Sequence, residues 1–119
     1  MELTGKNIIG SSLSGEGKVS FKAISPADGS TLETTFIEAT QAEVSKASEK
    51  ASIAFREYRN KSGKEKAAFL EAIADEIIAI GDDLIKRCMA ETGLPEARLT
   101  GERGRTVNQL KLFAQVLRD

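Results

Sequence analysis

The chain has 119 residues, of which 40% are hydrophobic and 29% are charged, so it can form one modest hydrophobic core. Its net charge of −1 comes from interspersed acids and bases, which argues against a nucleic-acid-binding patch. The absence of histidine and the single cysteine, Cys88, exclude an internal disulfide and most zinc or hydrolytic chemistry. No membrane-spanning run or secretory leader is recognisable, so a cytoplasmic location is expected.

The first 37 residues predict short strands and turns. Ile8 and Ile9 predict a short strand, and the serines and glycines of residues 11–17 predict a mobile loop. Residues 19–23 and 32–36 alternate apolar and polar side chains around the turn residues 25–30, which predicts a β-hairpin. Gly15 and Gly17 have no third glycine and open no helix, so a surface loop is favoured over a phosphate cradle.

The rest of the chain predicts four helices, over residues 41–59, 63–80, 82–92 and 95–118. Thr40 with Glu43, and Ser62 with Glu65, have the spacing of a capping box, in which a hydroxyl and a carboxylate satisfy free helix N–H groups. Apolar side chains follow each cap at helical spacing. The fold class is therefore α/β, with a hairpin layer followed by four helices.

The last helix differs from the others. Gly93 and Pro95 predict a helix stop and restart. Residues 110–117 are apolar almost all round, and the chain stops at Asp119 without a glycine cap. We therefore expect the sequence to be truncated and part of its core to be missing.

Few residues are candidates for chemistry. Cys88 lies among apolar positions at helical spacing, where a buried and inert thiol is expected. Gly101 and Gly104 each cost a helix about 1 kcal/mol relative to alanine, which suggests that a backbone or a ligand passes close. Arg105 and Gln109 are polar residues on an otherwise apolar face. A surface arginine near the helix start is the competing interpretation.

Several motifs, taken in order, resemble the amino-terminal part of the aldehyde dehydrogenase superfamily. They are Ser25-Pro26-Ala27-Asp28-Gly29 in the hairpin, the cap at Thr40, the alanine-rich helix with Ala47 and Phe55, Lys66 to Asp75 in the second helix, Glu91-Thr92-Gly93-Leu94-Pro95 and Glu96-Ala97-Arg98. Glu102-Arg103-Gly104-Arg105-Thr106 is most similar to bacterial α-ketoglutaric semialdehyde (2,5-dioxopentanoate) dehydrogenases, which are similar to NADP-dependent fatty aldehyde dehydrogenases.

The resemblance implies a Rossmann-like coenzyme-binding domain and an oxidation of an aldehyde to a carboxylic acid with NADP or NAD. In the family a cysteine thiolate attacks the aldehyde, hydride passes to the nicotinamide, and water releases the acid. The catalytic and oligomerisation parts lie beyond these 119 residues, so this chain alone is expected to be inactive and to bind no coenzyme. The parent is expected to be a homo-oligomer, a dimer or a tetramer, with no membrane or nucleic-acid partner. The alternative is a free-standing helical protein-interaction module.

Two sites follow from the same resemblance. Arg105 matches a position at the mouth of the family's substrate tunnel, counted back from Leu112-Phe113-Ala114, and Gln109 lies one helical turn on along the same face. The Ile24 carbonyl and the Glu91 carboxylate match the ligands of a monovalent cation site, which would hold sodium or potassium.

Overall fold

A computed structural model describes residues 1–119 and confirms the predicted fold class, with four short strands followed by four helices. The elements are β1 (Asn7–Ile9), β2 (Ser12–Ser14), β3 (Ser20–Phe21), β4 (Phe36–Ile37), α1 (Gln41–Tyr58), α2 (Gly63–Ile80), α3 (Asp82–Thr92) and α4 (Glu96–Arg118). The chain divides into two compact units. One contains residues 2–24 and 29–60, and the other contains residues 1, 25–28 and 61–119.

The first unit begins with an antiparallel hairpin of β1 and β2, in which Ile9 pairs with Ser12 across a two-residue turn. Gly10 opens that turn with a φ of 64°, which is the positive φ that a type II′ turn needs at its first central position. The prediction of a loop over residues 11–17 is therefore wrong for Ser12–Ser14. The error arose because Leu13 is the one apolar residue of β2 and gives no period-2 pattern.

The predicted second hairpin forms, but its ladder is short. Phe21 pairs with Phe36 in the antiparallel β3–β4 ladder, and their rings stack with centroids 5.7 Å apart. Ile24 and Thr31 form an isolated bridge nearer the turn. Thr34 has a φ of 84°, which a β-branched residue rarely adopts, so the backbone departs from a regular strand just before β4.

Helix α1 is anchored to the strands of its unit by one carboxylate. Thr40 and Glu43 form the predicted capping box, with the Thr40 amide 3.0 Å from Glu43 Oε1 and the Glu43 amide 3.1 Å from Thr40 Oγ1. Glu43 also accepts a hydrogen bond from the Ser14 hydroxyl of β2, and only 2% of Glu43 is exposed. No other residue of α1 is buried. The carboxylate therefore performs two tasks, capping the helix and holding the hairpin against it.

The second unit is a group of three helices in which α2 packs closely against α4. Ala67 and Ala74 of α2 and Ala114 of α4 are completely buried, because small side chains let the two helices approach. A Cβ added to Gly63 would lie 2.3 Å from the Leu117 carbonyl oxygen, so the first turn of α2 needs a glycine where α4 ends. The two helices are therefore antiparallel.

Helix α3 and the junctions around it complete this unit. Gly81 ends α2, and its carbonyl oxygen accepts a hydrogen bond from Arg103 Nη1 at 3.1 Å. Gly93 ends α3 with a φ of 72°, and Pro95 is the residue before the first turn of α4. Arg103, one of the residues near the glycines of α4, thus supports the α2–α3 corner rather than a ligand.

Many large apolar side chains stay exposed within these residues. None is fully buried, and Leu112, Phe113 and Val116 of α4 are each more than half exposed. This agrees with the expectation of an incomplete core. No helix combines the length and the apolar composition that a membrane crossing requires.

Glu43 should make the first unit sensitive to acid. The hydrogen bonds from the Ser14 hydroxyl and the Thr40 amide hold the pKa of this carboxyl below its ordinary value of 4.5. Because the folded pKa is the lower one, the stabilisation is present above the unfolded pKa and is lost as the pH falls through the folded pKa. We expect the backbone amide of residue 43 to lose its protection against hydrogen exchange below pH 4.5. The measured exchange rates are first corrected for the intrinsic pH dependence of amide exchange.

Glu43→Gln should abolish this pH dependence, whereas Glu65→Gln, which alters the equivalent cap of α2, should leave it in place. The assignment is wrong if Glu43→Gln titrates like the unmodified chain.

Candidate functional site

The residues predicted at a substrate-tunnel mouth, Arg105 and Gln109, lie together in one groove on α4. The groove has a volume of about 410 Å³ and is lined by Glu102, Arg105, Thr106, Gln109 and Leu110. Helical spacing explains the arrangement, since residues four apart lie one above the other on the same face. The structure thus brings the two predicted residues to a common surface.

The Arg105 side chain is 79% exposed, so its guanidinium is accessible to a ligand. Gln109 also lines a neighbouring apolar groove of about 380 Å³, together with Leu70, Leu110, Phe113, Val116 and Leu117. A guanidinium at one end and apolar side chains at the other suit a molecule with one anionic end and a less polar body.

The structure adds one carboxylate, that of Glu102, to the two residues predicted from the sequence. Glu102 Oε1 lies 3.5 Å from Arg105 Nη1 and 3.1 Å from Arg98 Nε. The signal was available in the sequence, because Arg98, Glu102 and Arg105 are spaced by four and three residues and therefore share a helix face.

The two glycines of α4 are not explained by contacts within the chain. Apart from the adjacent residues and the backbone of α4 itself, no atom lies within 4 Å of a Cβ placed on Gly101 or on Gly104. The expectation that another backbone passes close is therefore wrong for these 119 residues. The helix surface at Gly101 and Gly104, next to Arg105, is therefore not covered by another part of the chain.

Cys88 lies in an adjoining, mostly apolar cleft of about 380 Å³ between α2, α3 and α4, which Glu102, Arg103 and Thr106 also line. Its lining includes Ile77, Leu84, Ile85 and Leu99, and the thiol is half-buried. The prediction of a buried thiol is therefore only partly met. The chain has no histidine to act as its base.

The two predicted ligands of a monovalent cation lie on different elements. Ile24 is in the β-bridge to Thr31, and Glu91 is in the last turn of α3, where its Oε1 lies 3.4 Å from Arg87 Nη2. A shared cation stays a prediction. No group of three or more cysteine, aspartate and glutamate side chains is arranged to hold a metal ion.

The glycines of the first unit do not form a phosphate cradle. A Cβ on Gly17 would lie 2.0 Å from the Glu38 carbonyl oxygen, and one on Gly15 would lie 3.1 Å from Ile37 Cδ1. The space beside these glycines is filled by the protein's own β4 segment. They are needed for close packing and not for a nucleotide.

Comparison with known proteins identifies the family. The sequence pattern described as "Aldehyde dehydrogenase family" matches residues 13–119. The chain is 52% identical, over its whole length, to "Alpha-ketoglutaric semialdehyde dehydrogenase 2" of Azospirillum brasilense and covers 23% of that protein. It is 36% identical, over 98% of its length, to "Alpha-ketoglutaric semialdehyde dehydrogenase" of Acinetobacter baylyi and covers 22% of that protein. The chain thus spans about a quarter of the length of these curated relatives.

Solved structures show the same fold. A succinate-semialdehyde dehydrogenase from Burkholderia pseudomallei matches with a TM-score of 0.83 at 32% identity, over 92% of this chain and 23% of that one. An NAD-dependent benzaldehyde dehydrogenase from Corynebacterium glutamicum matches with a TM-score of 0.85 at 22% identity, over 95% of this chain and 25% of that one, and supports the fold alone. Because the family pattern covers most of the residues, the chain belongs to the aldehyde dehydrogenase family.

Proposed function

We propose that this chain is the amino-terminal quarter of an NADP- or NAD-dependent dehydrogenase that oxidises α-ketoglutaric semialdehyde to 2-oxoglutarate. The observation that carries the proposal is the 52% identity, over the whole chain, to a relative named for that substrate. A fatty aldehyde is the second candidate substrate. The parent enzyme is proposed to be a cytoplasmic dimer or tetramer.

The reacting groups are assigned to the part of the parent outside these residues. The coenzyme would accept the hydride of the aldehyde. Neither Cys88, in its apolar cleft, nor Gly15 and Gly17, packed against the chain, suits the roles of nucleophile or coenzyme turn. The contribution proposed for this chain is substrate recognition.

Arg105 supplies that recognition through its charge. A semialdehyde with a distal carboxylate presents two oxygens, and a guanidinium presents N–H donors in a matching planar fork. The Arg105 side chain is 79% exposed on the groove, and Gln109, one turn along α4, can donate a further hydrogen bond from its amide. A fatty aldehyde offers the guanidinium no carboxylate to bind. The charge on α4 therefore favours the anionic substrate.

Replacing Arg105 by alanine in the full-length enzyme should raise the KM for α-ketoglutaric semialdehyde about ten-fold or more. A charge-assisted hydrogen bond contributes roughly 1.5–3 kcal/mol, and about 1.4 kcal/mol corresponds to ten-fold. The KM for hexanal, which has no carboxylate, should change little. Steady-state kinetics with both aldehydes measures the difference.

Arg56→Ala, which removes one arginine from the exposed surface of α1, is the charge-matched control and should leave both KM values unchanged. Equal losses on the two aldehydes in Arg105→Ala would contradict the role in recognising the carboxylate.

We further propose that the Ile24 carbonyl and the Glu91 carboxylate are ligands of a sodium or potassium ion in the parent enzyme. Both donors are oxygen atoms, which suit hard cations.

If Glu91 is a ligand, the Tm of the enzyme should rise as sodium or potassium is added and binds. Glu91→Gln should then need a higher cation concentration to reach half of that rise in Tm. Asp75→Asn, an acid on α2, is the matched control. An unchanged cation dependence in Glu91→Gln removes Glu91 from the ligand set.

A further inference from the structure

The carboxylate of Glu102 lies between two arginines on the exposed surface of α4. One oxygen, Oε1, faces both Arg98 Nε at 3.1 Å and Arg105 Nη1 at 3.5 Å. The Arg98 and Arg105 side chains are 63% and 79% exposed, and that of Glu102 is 40% exposed. The three side chains form a surface cluster with one net positive charge.

Glu102 lies closer to Arg98 than to Arg105. The contact with Arg98 is within hydrogen-bond range, whereas the nearest charged atoms of Glu102 and Arg105 are 3.5 Å apart. Arg105 is thus partly neutralised and keeps other N–H donors for a second carboxylate. Glu102 also lines the groove that holds Arg105 and Gln109, so an anion bound there meets its negative charge.

We propose that Glu102 is a specificity-determining residue that competes with the substrate carboxylate for Arg105, and that Arg98 limits this competition by holding Glu102 on its other side. The inference rests on the proposed recognition of an anionic aldehyde by Arg105. Glu102 acts through Arg105 and touches no reacting atom.

A second role for Glu102, holding Arg105 in a productive rotamer, predicts the opposite effect. The structure favours competition for two reasons. An exposed pair at 3.5 Å restrains a long side chain weakly, because solvent screens the attraction and side-chain entropy opposes it. Competition, in contrast, requires only that Glu102 and the substrate carboxylate approach the same guanidinium, and Glu102 Oε1 already lies 3.5 Å from Arg105 Nη1.

Glu102→Gln in the full-length enzyme should therefore lower the KM for α-ketoglutaric semialdehyde about two- to five-fold, which corresponds to roughly 0.4–1 kcal/mol, the range of an exposed ion pair. The KM for hexanal should change by a smaller factor, because hexanal has no carboxylate for Glu102 to compete with. The gain should shrink in high salt, because exposed charges are screened there. A purely structural effect would alter both aldehydes and would not depend on salt.

Arg98→Gln supplies a test with the opposite sign. It frees Glu102 to pair fully with Arg105, so the KM for α-ketoglutaric semialdehyde should rise by a similar factor. Glu96→Gln, which removes another acid from the first turn of α4, is the control and should have no effect. In an Arg105→Ala background, Glu102→Gln should lose most of its effect.

The outcomes separate this inference from the proposed function. If Arg105→Ala weakens only the anionic aldehyde but Glu102→Gln leaves its KM unchanged or raises it, competition by Glu102 is wrong and recognition by Arg105 stands. If Arg105→Ala has no selective effect, recognition of the carboxylate by Arg105 is wrong and this inference fails with it.

Discussion

The close approach of α2 and α4 is the constraint on which the rest of the helical unit depends. Gly63 and the buried alanines Ala67, Ala74 and Ala114 leave no room for a larger side chain between the two helices. Close packing of this kind fixes the rotation of a helix about its axis, because any rotation replaces small residues by large ones at the contact. The orientation of α4 therefore determines which of its residues face outward. Arg105 is exposed for that reason, and Gln109 follows it on the same outer surface.

That outer surface of α4 combines features that a solvent-facing helix rarely needs. Arg98, Glu102 and Arg105 place a small charged cluster at one end, and Leu112 and Val116 remain more than half exposed at the other. Exposed apolar groups beside a guanidinium are typical of a surface that binds an amphipathic molecule or is covered by more protein. The relatives are about four times longer than this chain, so both uses are compatible with one surface. Recognition by charge and contact with an apolar body can therefore share a single helix.

The sequence predicted the helices well and the strands less well, for physical reasons. Capping boxes, glycine stops and helical periodicity act locally, so the caps at Thr40 and Ser62 and the stop at Gly93 formed where their residue types indicated. Helix α4 starts at Glu96, one residue after the predicted start, since Pro95 keeps an extended backbone.

The strand β2 was missed because its pairing with β1 depends on a turn at Gly10 rather than on its own pattern. The double role of Glu43 was not predictable, because the position of Ser14 beside it is set by tertiary structure. The predicted cation ligands lie far apart in the sequence, and no local pattern determines their separation.

We propose that α4 presents a guanidinium to the carboxylate of an anionic aldehyde. A crystal structure of the full-length enzyme with bound 2-oxoglutarate, the proposed product, would reveal this contact. We expect the distal carboxylate to lie within hydrogen-bonding distance, about 2.7–3.2 Å, of the Arg105 guanidinium, with Gln109 beside it. The proposal is wrong if Arg105 points to bulk solvent while other groups of the enzyme hold that carboxylate.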